Sequence, residues 1–256
     1  MKRPRVLIIR AAGTNCDVET AYAFEIAGAV AERVYIDEVK NKHLTDYQII
    51  ALPGGFTYGD DISAGKILSN EIKFKLRDKF TEFIGRKNLI IGICNGFQVL
   101  VKCGILPAFR NYFEEQSVSL VLNDSERFED RWVYLRVHSD RSIFTKGIES
   151  VITLPVAHAE GKFVVENKGM LKDIEEHIVF QYVDRDGNET GYPSNPNGST
   201  LSIAGITDKT GRILGLMPHP ERHISYLQHP YHSRLKDNGV GDGLRIFKNA
   251  VEYFKK

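Results

Sequence analysis

Leu89-Ile90-Ile91-Gly92-Ile93-Cys94-Asn95-Gly96-Phe97-Gln98-Val99-Leu100 runs from an apolar, β-branched stretch through Gly-x-Cys-x-Gly into a helical pattern. Strand, sharp turn and helix in that order make a nucleophile elbow with cysteine in place of serine. Glycines flank the cysteine because a strand that turns at once into a helix leaves no room for side chains beside a strained nucleophile. Cys94 is thereby expected at a helix N-terminus. There the dipole and the free N–H groups favour a thiolate and can receive an oxyanion. The competing reading is a small buried hydrophobe in an ordinary tight connection.

Upstream of the elbow, short apolar runs at Val6–Ile9, Val30–Ile36 and Ile49–Leu52 alternate with helical periodicity at Glu19–Ala27 and Ser69–Arg86. Continuous apolar strands separated by helices specify a parallel sheet covered on both faces, so the first part of the chain reads as doubly wound α/β. Downstream the character changes. Ser117–Leu122, Trp132–Val137, Val151–Pro155, Ile178–Asp184, Leu201–Thr207 and Ile213–Met217 read as strands with few helices between them, an antiparallel or mixed extension. Hairpin turns are expected at Asp186-Gly187-Asn188, between Tyr182–Asp184 and Glu189–Gly191, and at Asp208–Gly211. The last segment, Asp242–Phe254, sets Leu244, Phe247, Val251 and Phe254 on one face of a closing helix. No repeat or linker interrupts the 256 residues, which are expected to form a single domain over 1–256.

Two further segments supply partners for Cys94. In Met217-Pro218-His219-Pro220-Glu221, prolines on both sides hold a rigid, non-helical turn that presents the imidazole. If the turn is extended, His219 and Glu221 point the same way, and the carboxylate orients the ring that takes the cysteine proton. Cysteine, histidine and carboxylate form the minimal set for acyl transfer through a thioester. In Leu52-Pro53-Gly54-Gly55-Phe56-Thr57-Tyr58-Gly59-Asp60-Asp61, paired glycines allow backbone N–H groups to approach a substrate closely, although a plain loop or phosphate nest has the same look. The absence of Gly-x-x-x-x-Gly-Lys-Ser/Thr argues against a P-loop. His219, His223, His229 and His232 invite a metal reading, but the prolines prevent a regular helical two-histidine site, and no Cys-x-x-Cys completes a zinc set. No metal is expected.

Composition narrows the classes. There are 34 basic and 33 acidic residues, a formal charge of +1, so nothing draws the chain to nucleic acid or an anionic membrane. The apolar run Val6–Ile9 is too short for a signal peptide or a span, and Cys16, Cys94 and Cys103 form no disulfide framework. A cytoplasmic protein acting on a small polar substrate is expected, with Cys16 and Cys103 dispensable for the thioester.

Pro53-Gly54-Gly55-Phe56, Gly92-Ile93-Cys94-Asn95-Gly96-Phe97-Gln98 and Pro218-His219-Pro220-Glu221, in that order, resemble the class I glutamine amidotransferase family. Four more segments, spread over nearly the whole chain, resemble its branch of glutaminase subunits serving phosphoribosylformylglycinamidine synthase in purine synthesis. They are Gly13-Thr14-Asn15-Cys16-Asp17, Phe56-Thr57-Tyr58-Gly59-Asp60-Asp61, Pro155-Val156-Ala157-His158-Ala159-Glu160-Gly161-Lys162-Phe163 and Asn195-Pro196-Asn197-Gly198-Ser199. The resemblance implies a flavodoxin-like fold and a Cys94–His219–Glu221 triad that hydrolyses glutamine through a γ-glutamyl thioester. Gly55 and Asn95 would give the oxyanion N–H groups, beside Gly54, while Gln98 would hold the substrate.

It also implies partners: a large synthetase subunit using ATP and magnesium, which receives the ammonia, and a small bridging subunit. No cofactor is implied in this chain. His158 and Glu160 would lie near the partner surface or the mouth of the site, in a structural or signalling role. The segments Ile224–Gly241 and Asn111–Arg131 look idiosyncratic. A free-standing cysteine hydrolase such as a γ-glutamyl hydrolase, an amidotransferase subunit of another pathway, and a non-catalytic binding protein remain the alternatives.

Overall fold

The computed structural model describes residues 3–114, 116–234 and 239–255. In chain order its elements are β1 (Arg5–Arg10), α1 (Asp17–Ile26), β2 (Val30–Tyr35), α2 (Ile36–Val39), β3 (Ile49–Leu52), α3 (Lys66–Lys75), α4 (Arg77–Gly85), β4 (Leu89–Ile93), α5 (Asn95–Lys102), β5 (Val118–Val121), β6 (Glu129–Val137), β7 (Val151–His158), β8 (Lys162–Val165), α6 (Leu171–Glu175), β9 (Ile178–Val183), β10 (Ile203–Thr207), β11 (Ile213–Leu216) and α7 (Leu244–Tyr253), with short 3₁₀ turns between several of them.

Nine strands make one sheet in the order β2-β1-β3-β4-β11-β10-β9-β6-β7. The first five are parallel to one another, and the remaining neighbours are antiparallel. The parallel half has the order of the flavodoxin-like doubly wound fold. Its central strands β3, β4 and β11 are buried at every residue. Burial on both faces is what their unbroken apolar runs require. Helix α1 covers β1 and β2, whereas α5 covers β3, β4 and β11. Helix α7 packs beside α1 with the rings of Phe24 and Phe247 edge to face at 4.9 Å.

Several expectations change in detail. The single helix over Ser69–Arg86 is two, because Leu76 leaves helical dihedrals (φ −123°, ψ 6°) between α3 and α4. Ser117–Leu122 does not join the main sheet; β5 pairs with β8 in a separate two-stranded ribbon. The turn after β9 exists, with Asp184 Oδ1 accepting from the N–H groups of Asp186 and Asn188, but Glu189–Gly191 forms no strand. Both edges of β9 are already paired, by β10 and β6, so a returning arm has no ladder to join. The turn at Asp208–Gly211 does link the antiparallel pair β10 and β11. No helix is long and apolar enough to cross a membrane, among the described residues.

Candidate active site

Ligands of open α/β sheets bind at the carboxyl ends of the strands, and four such ends converge here. Beyond β4 lies Cys94, beyond β11 the His219 turn, beyond β3 Gly54-Gly55, and beyond β1 the loop Gly13–Cys16. Cys94 has φ 50° and ψ −107°, a strained conformation for a residue with a side chain. A Cβ on Gly96 would lie 1.9 Å from the Leu52 carbonyl oxygen, so only glycine lets α5 start this close to β3. Cys94 is 5% exposed, with Sγ 3.7 Å from the Ala157 carbonyl oxygen.

His219 and Glu221 are fully buried, and His219 Nδ1 meets Glu221 Oε1 at 2.6 Å. The turn is not extended as expected: Pro220–Arg222 is a 3₁₀ turn entered from His219 at φ −104°, ψ 90°. The two side chains meet nonetheless. With Nδ1 engaged, His219 Nε2 has no other partner. Burial pushes the imidazole toward neutrality, but the Glu221 carboxylate and then Cys94 outweigh it and hold the ring well above its ordinary value. A ring so placed can exchange a proton with the sulfur beside it.

The loop Gly13–Cys16 pairs with the glycine turn through an isolated bridge from Thr14 to Gly55, and Gly54 O accepts from Cys16 N–H. Gly55 takes φ 149°, where a Cβ would collide with the Gly13 carbonyl oxygen at 2.7 Å. Neither Gly55 N–H nor Asn95 N–H is taken by a backbone acceptor, so both remain able to donate. The Asn95 side chain ties the walls together. Its oxygen accepts from Thr57 Oγ1 at 2.6 Å, and its nitrogen donates to Asp60 Oδ1 at 3.2 Å and Gln98 Oε1 at 3.0 Å. Gln98 is fully committed, since its Nε2 donates to Glu160 O at 2.6 Å.

The cleft bounded by Gly55, Asp60, Cys94, Gln98, His158 and Glu160 is only about 50 Å³. Burial, and then the charge of Glu160, push the Asp60 carboxyl up, while Lys102 reaches Ser63 Oγ at 3.0 Å close by. His158 and Glu160 are thus at the mouth of the site, but His158 is buried rather than at a docking surface.

Cys16 is the residue that sequence reasoning missed. Its Sγ lies 3.9 Å from His219 Nδ1 and accepts from Arg222 Nη2 at 3.1 Å. No local pattern announces a contact across 203 positions. Cys16, His219 and Glu221 offer ligand atoms within 4.8 Å of one another, yet the Arg222 guanidinium already holds the sulfur, a poor setting for a cation. His223 and His229 instead pack on the Trp132 ring at 4.8 and 4.5 Å. Part of Ile224–Gly241 lies outside the described residues. Cys103 is buried under α3, its thiol donating to Ser69 O, away from this site.

Comparison with known proteins places the chain among its relatives. The chain is 47% identical to the phosphoribosylformylglycinamidine synthase subunit PurQ of Dehalococcoides mccartyi over the full length of both. It is 44% identical to the PurQ subunit of Methanococcus maripaludis, covering 99% of this chain and 98% of the relative. Among solved structures it is similar to a chain of PurLQS from Thermotoga maritima, with a TM-score of 0.76, 32% identity and coverage of 98% and 99%. Residues 3–254 match the CobB/CobQ-like glutamine amidotransferase domain, and the chain belongs to that family.

Proposed function

We propose that the chain is the glutaminase subunit of a phosphoribosylformylglycinamidine synthase, a single glutaminase unit that works in the cytoplasm. The observation that carries the reaction is the buried His219–Glu221 pair with Nε2 left free beside the strained Cys94. Cys94 attacks the γ-carboxamide carbon of glutamine, and the oxyanion that forms is received by the N–H groups of Gly55 and Asn95. His219 delivers its proton to the nitrogen as the C–N bond breaks, releasing ammonia, and then activates water to hydrolyse the thioester to glutamate. Glu221 keeps the ring oriented. Gln98 contacts the substrate once its amide leaves Glu160.

Ammonia passes to a large synthetase subunit. That partner uses ATP and magnesium to activate the formyl amide oxygen of formylglycinamide ribonucleotide, and a small bridging subunit completes the assembly. The full-length similarity to PurQ subunits supports this over a free-standing γ-glutamyl hydrolase. The test is Cys94→Ala in the complex reconstituted with the synthetase. Glutamine-dependent synthesis is expected to disappear while synthesis from added ammonia persists. Loss of both in a folded, associated variant would refute the division of labour.

A further inference from the structure

His158 ends β7 beside the cleft and is 3% exposed. Its ring is tightly cradled: a Cβ on Gly161 would lie 2.2 Å from Cε1 and 2.3 Å from Nδ1. The hydrogen bonds around it assign the tautomer. Asn123 Nδ2 donates to the carbonyls of Arg127 and His158 at 2.9 and 2.8 Å. Asn123 Oδ1 is therefore the acceptor, reached by Gly161 N–H at 3.0 Å and by His158 Nδ1 at 3.2 Å. Nδ1 carries the proton, so Nε2 presents a lone pair. That nitrogen is buried without a partner, an arrangement that costs stability and calls for a reason.

His158 Nε2, His219 Nε2 and Glu221 Oε2 are three unpartnered buried atoms of one site. Burial first, and then the charge of His219, hold the His158 imidazole down at about 3. His219 is the charged side chain that acts on it, whereas the charge of Glu160 acts on Asp60. His158 thus lines the cleft together with Cys94 and feels the charge of His219.

We infer that His158 Nε2 accepts an N–H from the γ-carboxamide nitrogen of glutamine and keeps hold of that nitrogen as it becomes ammonia. The inference rests on the glutaminase reading. The C–S bond forms, the C–N bond breaks with its electron pair on nitrogen, and the proton comes from His219. His158 contributes a hydrogen bond and exchanges no proton. So weak a base accepts a hydrogen bond from ammonia without taking a proton, and its N–H is pledged to Asn123.

The test compares glutamine with glutamate γ-methyl ester, whose leaving group has no N–H, in the full chain reconstituted with its synthetase. His158→Leu is expected to lower kcat/KM for glutamine about 10-fold while leaving the ester within about twofold. His158→Gln, which keeps an acceptor, should regain part of the amide rate. Alkylation of Cys94 by 6-diazo-5-oxo-L-norleucine, which expels dinitrogen, should be unchanged in both variants. Equal losses on amide and ester, slowed alkylation, or no loss on glutamine would each overturn the inference. A wild-type complex that hydrolyses neither substrate would instead refute the glutaminase reading beneath it.

Discussion

The imidazole of His219 lies directly on Gly54: a Cβ at position 54 would sit 2.7 Å from its Cε1 and 3.3 Å from the sulfur of Cys16. Gly54 has no left-handed φ, so its backbone tolerates a side chain. What excludes one is the ring. Gly54→Ala is therefore expected to leave the fold intact and to displace His219 from Cys94. A misplacement of about 1 Å can cost on the order of 100-fold in rate. Steady-state glutaminase assays beside thermal melts check this; an alanine variant with unchanged turnover would show that the ring does not need this contact.

Buried coupling between His219 and Glu221 makes their substitutions non-additive. His219→Ala removes the proton carrier and is expected to reduce glutamine turnover nearly as far as Cys94→Ala does. Glu221→Gln keeps a hydrogen-bonding group on Nδ1 and should retain more activity. Groups that act as a unit do not sum, so the double variant should be about as slow as His219→Ala alone. A much slower double variant, measured in single turnovers, would mean that Glu221 acts independently of the ring.

His158 and His219 have opposite signatures in acid. The folded chain holds His219 above 6.5, so below that value the ring is protonated folded and unfolded alike and adds no slope; its stabilisation is lost only as pH rises through the folded value. His158 is held down to about 3 from 6.5, so in that window the unfolded chain binds a proton the folded chain refuses. Stability should therefore fall as pH drops below 6.5, by at most about 1.4 kcal/mol per pH unit from this residue. Denaturant melts between pH 6.5 and 5, above the ordinary carboxylate range, should show a shallower slope for His158→Gln than for wild type. Equal slopes would place the acid sensitivity elsewhere.

The elbow at Cys94, the turn at Gly54-Gly55 and the His219–Glu221 turn were legible because each is a local event, an apolar strand ending in residues with few permitted conformations. So was the parallel half of the sheet. What stayed hidden depends on distant pairings. Cys16 reaches His219 only because the ends of β1 and β11 come together. The ribbon of β5 and β8 joins segments that carry no mark of their pairing, and β7 continues through Pro155 to deliver His158 to the cleft. Lys102 reads as an ordinary charge until the fold brings it beside Asp60 and Glu160.

Control by a partner follows from how closed the site is. A cleft of about 50 Å³ is far below the few hundred Å³ of pockets that enclose a small molecule. Two contacts of the segment Ala157–Glu160 keep it so: the Ala157 carbonyl faces Cys94 Sγ at 3.7 Å, and the Glu160 carbonyl holds the Gln98 amide at 2.6 Å. Glutamine is therefore expected to enter when that segment moves. Beside it stands an exposed apolar rim, where Phe56 and Phe128 lie 6.2 Å apart and Ile62 is 87% exposed at a φ of 70°. A β-branched residue in that conformation is strained, and an exposed apolar group at a site mouth suits a protein surface. The isolated chain should therefore be a poor glutaminase. Adding the synthetase with its nucleotide substrates should raise turnover by roughly 100- to 1000-fold, the range that one correctly aimed oxyanion donor can supply. Ile62→Ser and Phe128→Ser should blunt this rise while shifting stability by no more than about 0.5 kcal/mol, as exposed substitutions do. Glutaminase assays with and without the partner decide it: full turnover by the chain alone would show that the closed cleft opens unaided.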